Sequence, residues 1–242
     1  IVDDFANLVR KRGFYILTLI DEGFHYIWSK KPIKSLQDVK NTKVFAWQGQ
    51  EMEIKTFEIM GILPHSLQVV DVLASLQTGL VETVYLSPMA CIALQWCNIV
   101  KYALDMPLRY APAIVLITKN ALKRIPLDIR KAMVEVAAKH MIDFMEITRK
   151  NNEESISILK KKGIKFLKPS EKEMEEWREA SKKVYNELAG VIYPRELLDK
   201  IVTSLEEYRE KIRKKEIKPY KLERGKIPSF TIKYVDEVIL KE

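Results

Sequence analysis

Three histidines, His25, His65 and His140, and two cysteines, Cys91 and Cys97, are the side chains best suited to proton transfer, nucleophilic attack or metal ligation in this sequence. None stands at a spacing that such chemistry uses. Neither cysteine has a second Cys or a His at metal-ligand distance along the chain, and GxSxG, P-loop, GxGxxG and HExxH patterns do not occur. His140 falls on what reads as an apolar helix face, where a core or boundary role is expected. Glu51, Glu53 and Glu58 can share a helix face, and glutamates at that spacing are ordinarily solvated. With eight glycines a phosphate-cradling loop is not expected either. The chain is therefore expected to be no enzyme and to carry no cofactor and no metal.

Size and charge bound the alternatives. A chain of 242 residues, 47% hydrophobic, can bury a sizeable core as one large domain or two small lobes. Charged residues make up 31% and both signs run through the same segments, which suits solvated helix faces and not disorder. The net charge of +8 would permit nucleic-acid binding, but no zinc-finger spacing, RNP-like signature or basic recognition helix accompanies it, so no nucleic-acid partner is expected. Cys91 and Cys97 read as members of one helix, on different faces, and so as small buried side chains without a disulfide. No apolar run reaches bilayer length, and no signal-peptide pattern opens the chain. Ile1 is not an initiator methionine and IVDDFANLVRKRG reads as mid-helix, so a truncated start is expected.

The elements that must position any site follow an α/β alternation in the first half. GFYILTLI and FHYIWS read as two strands, SLQDVKNTKVFAW as a helical turn and a strand, and EMEIKTFEIMG as a helix closed by Gly61. A strand, a helix over Val72 to Gln77 stopped by Gly79, a strand through Val84 to Leu86 and a helix opened by Pro88 come next. YALDMPLRYAPAIVLIT reads as a strand broken at Pro107 and Pro112, its AIVLIT part buried. From Pro126 the pattern is helical. Ile129, Met133, Val136, His140, Phe144 and Ile147 mark one face of a long helix that runs toward Gly163. GIKFL adds a strand, Ser170 and Glu173 form a capping box before Met174, Trp177, Val184 and Leu188, and Pro194 opens a last helix. Beyond Arg213 the chain turns basic and irregular, and FTIKYVDEVIL ends it as a short strand candidate.

Three of these segments, in order and correctly spaced, resemble the solute-binding proteins of TRAP (tripartite ATP-independent periplasmic) transporters, the DctP type. KPIKSLQDVKNTKVFAW is similar to that family's Pro-Ile-x-Ser, Asp-x-Lys-Gly-x-Lys turn and strand. MGILPHSLQVVDVLASLQTGLVE is similar to its Gly-x-x-Pro and Ala-Leu-Gln-x-Gly-x-Val-Asp stretch, and LKRIPLDIRKAMVEVAAKH to its Leu-Pro opening of the long helix. The similarity runs from about Gly13 to Tyr208. It implies an α/β, two-lobed periplasmic binding protein-like fold of class II type, with crossing strands and a long helix linking the lobes. Roughly the first third of such a protein, its N-terminal βαβ part, is expected to be missing here. It further implies a receptor body over residues 1–213, a periplasmic or extracytoplasmic location, and permease subunits of a TRAP transporter as partners; the stretch over 214–242 has no counterpart in the family and reads, from its composition, as a basic extension.

The departures from the family shape the expected site. The family's carboxylate-clamping Arg corresponds to Phe45, or to Ala46 in a register shifted by one. A second Arg corresponds to His25, the assisting Asn to Leu86, and a later polar strand residue to Ala113. A guanidinium fork recognises a carboxylate; a phenyl ring does not. With Trp47, Gln48, Tyr85, Met89 and Tyr110 around them, these residues are expected to line an interlobe cleft for a small hydrophobic or amphipathic organic ligand, not a small carboxylate. His25, Gln48 and Tyr85 are the orienting polar groups. A second reading stays open, an adaptor of the same fold that has lost its ligand and docks through the basic tail; deleting the residues after Arg213 separates the two.

Overall fold

A computed structural model describes residues 2–218 of the chain. It opens with α1 (Val2–Lys11), the long strand β1 (Phe14–Ser29), α2 (Leu36–Lys40), β2 (Phe45–Trp47), α3 (Glu51–Ile59), β3 (His65–Leu67), α4 (Val69–Thr78) and β4 (Thr83–Leu86). α5 (Pro88–Ala93), a 3-10 turn at Trp96–Asn98, β5 (Tyr102–Leu104), β6 (Arg109–Thr118) and α6 (Lys119–Lys123) follow. The 35-residue α7 (Leu127–Lys161), β7 (Lys165–Leu167), α8 (Glu171–Leu188) and α9 (Arg195–Arg213) complete it.

Local chemistry sets many of these limits. Ser35 and Asp38 close a reciprocal capping box on α2, as Ser170 and Glu173 do on α8, satisfying backbone N–H groups that a helix start leaves open. Pro88 sits in the first turn of α5, where its missing N–H costs nothing. In the five-stranded sheet the path is β4-β1-β5-β7, with β6 also pairing β1. β1 is antiparallel to β4, Tyr26 opposite Leu86 and Ser29 opposite Thr83, and to β5, while β5 and β7 run parallel. β2 and β3 form a separate parallel pair, Phe45 opposite His65.

Two compact units divide the described residues, the first made of 2–22, 111–150 and 199–218, the second of 23–110 and 151–198. β1 and α7 each contribute residues to both, and β6 passes from one to the other after Tyr110. In the first unit Tyr15, Leu122 and Val134 form a small core with Leu17, Ile117 and Met133 packed on it. The second unit holds the larger core, in which Trp28, Phe45, Leu76, Leu104 and Leu159 are fully buried.

Several expectations change. GFYILTLI and FHYIWS are one strand, because Gly23 carries the chain through a φ of +82° without ending the pairing. Only glycine fits there: a Cβ would lie 2.9 Å from the Asn152 side-chain nitrogen. Pro112 does not break β6, and AIVLIT is half-buried to exposed, not buried. Cys91 and Cys97 do not share a helix, since Gln95 turns left-handed at φ 60° between α5 and the 3-10 turn. Both are buried and free, and burial pushes the Cys91 thiol well above its ordinary range, so it stays protonated. On α7 the buried stripe is Val134, Ala138, Ile142 and Thr148, which leaves Ile129, Val136, His140, Phe144 and Ile147 exposed. Contact with the core fixed by Tyr15 and Leu122, and not apolar periodicity alone, chooses the face that turns inward. FTIKYVDEVIL lies outside the described residues.

Candidate functional site

Four of the side chains expected to meet a ligand, His25, Phe45, Trp47 and Tyr85, lie in the second unit around a residue that the sequence did not single out, Arg109. After β5 the chain turns through Pro107, and the Leu108 N–H donates to the His25 carbonyl at 2.8 Å. This pins the start of β6 beside β1 and delivers Arg109 to the His25 side chain. Arg109 Nε donates to His25 Nδ1 at 3.4 Å. Its Nη1 lies 3.3 Å from Glu53 Oε2, and its guanidinium carbon stands 5.5 Å from the centre of the Tyr85 ring.

Glu53 comes from the first turn of α3 and is buried, with 8% of its side chain exposed, in place of the solvated glutamate expected there. Its other carboxylate oxygen accepts the Trp47 backbone N–H at 3.0 Å, at the end of β2. The short link from β2 to α3 lets the carboxylate reach back to the strand it follows. Burial pushes the Glu53 carboxyl above its ordinary value, while the Trp47 N–H and the Arg109 charge act in the opposite direction.

Rings wall this polar centre. Phe45 is fully buried and meets Trp47 at 5.3 Å, Trp96 at 5.7 Å and Tyr85 at 6.1 Å between centroids, while Phe57 meets Tyr85 edge-on at 5.4 Å. The Tyr85 hydroxyl is buried and makes no hydrogen bond among the described residues. Leaving such a group unpaired costs about 1–3 kcal/mol.

The structure thus gathers His25, Phe45, Trp47 and Tyr85. Tyr110 is exposed and packs its ring on Phe24 at 5.4 Å, one position beyond Arg109. Gln48 is exposed, with its N–H donated to the Leu67 carbonyl. Leu86 is buried, and its carbonyl accepts the Trp28 indole N–H at 3.1 Å. Met89, half-buried in α5, donates its N–H to the Asn152 side-chain oxygen at 3.1 Å. Ala113 is half-buried on β6 in the first unit. Arg109 was not singled out in the sequence, and Glu53 was read as a solvated helix-face glutamate. The one available signal was a charged residue opening an apolar strand beside Tyr110.

Hydrogen-bond donors, one compensated charge and aromatic faces are what this arrangement offers, and they suit recognition. Among the described residues no group of three or more His, Cys, Asp or Glu is placed to hold a metal ion, and no helix is long and apolar enough to cross a membrane.

Comparison with known proteins agrees with the architecture. Residues 1–190 match the bacterial extracellular solute-binding proteins of family 7, DctP. Over 135 residues the chain is 27% identical to the uncharacterized protein YiiZ of Salmonella typhimurium, covering 55% of this chain and 40% of that protein. Among solved structures it is similar to DctP7 of Bordetella pertussis, an extracytoplasmic solute receptor binding pyroglutamic acid, with a TM-score of 0.71 at 22% identity over 78% of this chain and 62% of that one. A TRAP periplasmic solute-binding protein of Chromohalobacter salexigens with bound D-glucuronate gives a TM-score of 0.74 at 15% identity, over 85% of this chain and 67% of that one. The chain therefore spans less than two thirds of the length of YiiZ and of DctP7, and it has the α/β fold of the TRAP periplasmic binding proteins.

Proposed function

We infer that this chain, which belongs to the bacterial extracellular solute-binding proteins of family 7, is the ligand-holding part of an extracytoplasmic receptor that hands an amphipathic organic solute to the permease subunits of a TRAP-type transporter. The solute has an apolar body and one polar end. It does no chemistry on the protein, and the protein does none on it.

The observation that carries this reading is the composition of the Arg109 cluster. Its single guanidinium is compensated by Glu53 and lies beside His25 and over the Tyr85 ring, with Phe45 and Phe57 packed on Tyr85 in the core and the half-buried Trp47 against Phe45. Burying apolar surface against the Trp47 ring is favourable by about 25 cal/mol per Å². A polar end of the solute would find Arg109, His25 and the unpaired Tyr85 hydroxyl. Receptors of similar fold take pyroglutamic acid or D-glucuronate, which are small and strongly polar; at 22% and 15% identity they support a common architecture and do not carry their ligands over to this chain. In this reading the receptor body spans residues 1–213, and the basic stretch 214–242 follows it in sequence.

Native mass spectrometry of the protein purified without denaturation, followed by extraction of the bound mass, tests the reading. A bound compound with an aromatic or aliphatic body is the expected result. A sugar acid or a small dicarboxylate would overturn it.

A further inference from the structure

Two groups converge on one carboxylate in this cluster: the Trp47 backbone N–H donates to it at 3.0 Å and the Arg109 guanidinium forms an ion pair with it at 3.3 Å, and the carboxylate they hold belongs to the protein. Each oxygen of Glu53 has its own partner. A main-chain N–H paired with a guanidinium is the donor set that recognises a free organic acid. Here it is filled from within, by a side chain that is 8% exposed while its cation is 42% exposed.

We propose that Glu53 is a tethered counter-anion that occupies the carboxylate subsite of this receptor and thereby selects ligands whose polar end is uncharged. This deepens the ligand reading above and rests on it for the statement about selectivity. An incoming carboxylate would have to share Arg109 with a fixed negative charge a few ångströms away, at low dielectric, where like charges repel strongly. An amide or hydroxyl end meets no such repulsion and can use the face of Arg109 that Glu53 does not cover. Selectivity then comes from an unfavourable contact built against the wrong ligand as much as from contacts with the right one.

The subsite can be emptied and refilled. Glu53→Ala removes the carboxylate and leaves both donors, so acetate at about 100 mM should raise its melting temperature by about 2–4 °C more than it raises that of the wild type, with chloride at equal ionic strength as control. Equal responses to acetate and chloride would overturn the proposal. Glu53→Gln, which keeps an acceptor for the Trp47 N–H, covers the case in which the alanine variant does not fold. Calorimetric titration of wild type and Glu53→Gln with 3-phenylpropionamide and 3-phenylpropionate is then read as a ratio. The wild type is expected to favour the amide, and the glutamine variant to shift the ratio about tenfold or more toward the carboxylate. A wild type that favours the carboxylate, with a ratio that the variant leaves unchanged, contradicts the proposal and leaves the amphipathic-ligand reading standing. Acetate rescue with no binding of either phenyl probe does the reverse.

Discussion

Arg109 and Glu53 meet at 3.3 Å from elements far apart in sequence, the start of β6 and the first turn of α3, with the cation half in solvent and the anion buried. A buried carboxylate with one partly exposed partner is sensitive both to protons and to whatever approaches that partner.

The Glu53 pKa is raised, so the folded state holds its proton more tightly than the unfolded chain does. Stability from this group is fully present below the ordinary glutamate value of 4.5 and is lost as pH rises through the raised folded value. Glu53→Gln does not titrate. Urea unfolding of both proteins from about pH 4.5 to about 7.5 should therefore show the stability of the variant, relative to wild type, increasing with pH. Carboxylates remote from Arg109 are common to both proteins and drop out of the difference. A relative stability that falls with pH contradicts the burial of Glu53.

Tyr85→Phe removes a buried hydroxyl that has no partner among the described residues. Without ligand its stability should equal or exceed that of wild type, because nothing is left unpaired. Its affinity for the co-purified solute should fall about three- to tenfold. Loss of stability with unchanged affinity would make the hydroxyl a structural group.

Gly23→Ala places a Cβ 2.9 Å from the Asn152 nitrogen at a φ of +82°, and should cost about 1–3 kcal/mol in urea unfolding. Adding Asn152→Ala removes the clash but not the backbone strain. The double variant should recover less than the whole loss, and full recovery would show that the positive φ is harmless.

In the first unit, Asp21 is 1% exposed and pairs with Arg149 at 2.6 Å. Its second oxygen has no partner among the described residues. Arg149→Leu strands the carboxylate, and because Arg149 is itself half-exposed the expected loss is about 1–3 kcal/mol, below that of a fully buried pair. Asp21→Asn combined with Arg149→Leu should regain part of it. A single variant as stable as wild type would mean that Asp21 is solvated.

Most helix and strand positions were legible because their signals are local. Ser170 with Glu173, Pro88, Gly61 and Gly79 act within a turn of where they stand. The family resemblance rested on the same kind of short-range chemistry and led to the right fold. His25, Phe45, Trp47 and Tyr85 were found through it and do come together. What failed was long-range. The inward face of α7 depends on Tyr15 and Leu122, and the burial of Glu53 depends on a strand end six residues earlier and an arginine on another strand. A search for a guanidinium only where relatives keep one passed over Arg109, which brings the same group in from β6. The structure adds to the expected apolar walls an arginine paired with a buried glutamate.

A crystal structure of the protein with 3-phenylpropionamide tests the central claim most directly. The phenyl ring should lie against Trp47 and the amide within hydrogen-bond distance of Arg109 or the Tyr85 hydroxyl, with Glu53 still paired to Arg109. A probe bound away from these side chains, or bound with Arg109 swung off Glu53, would contradict the account.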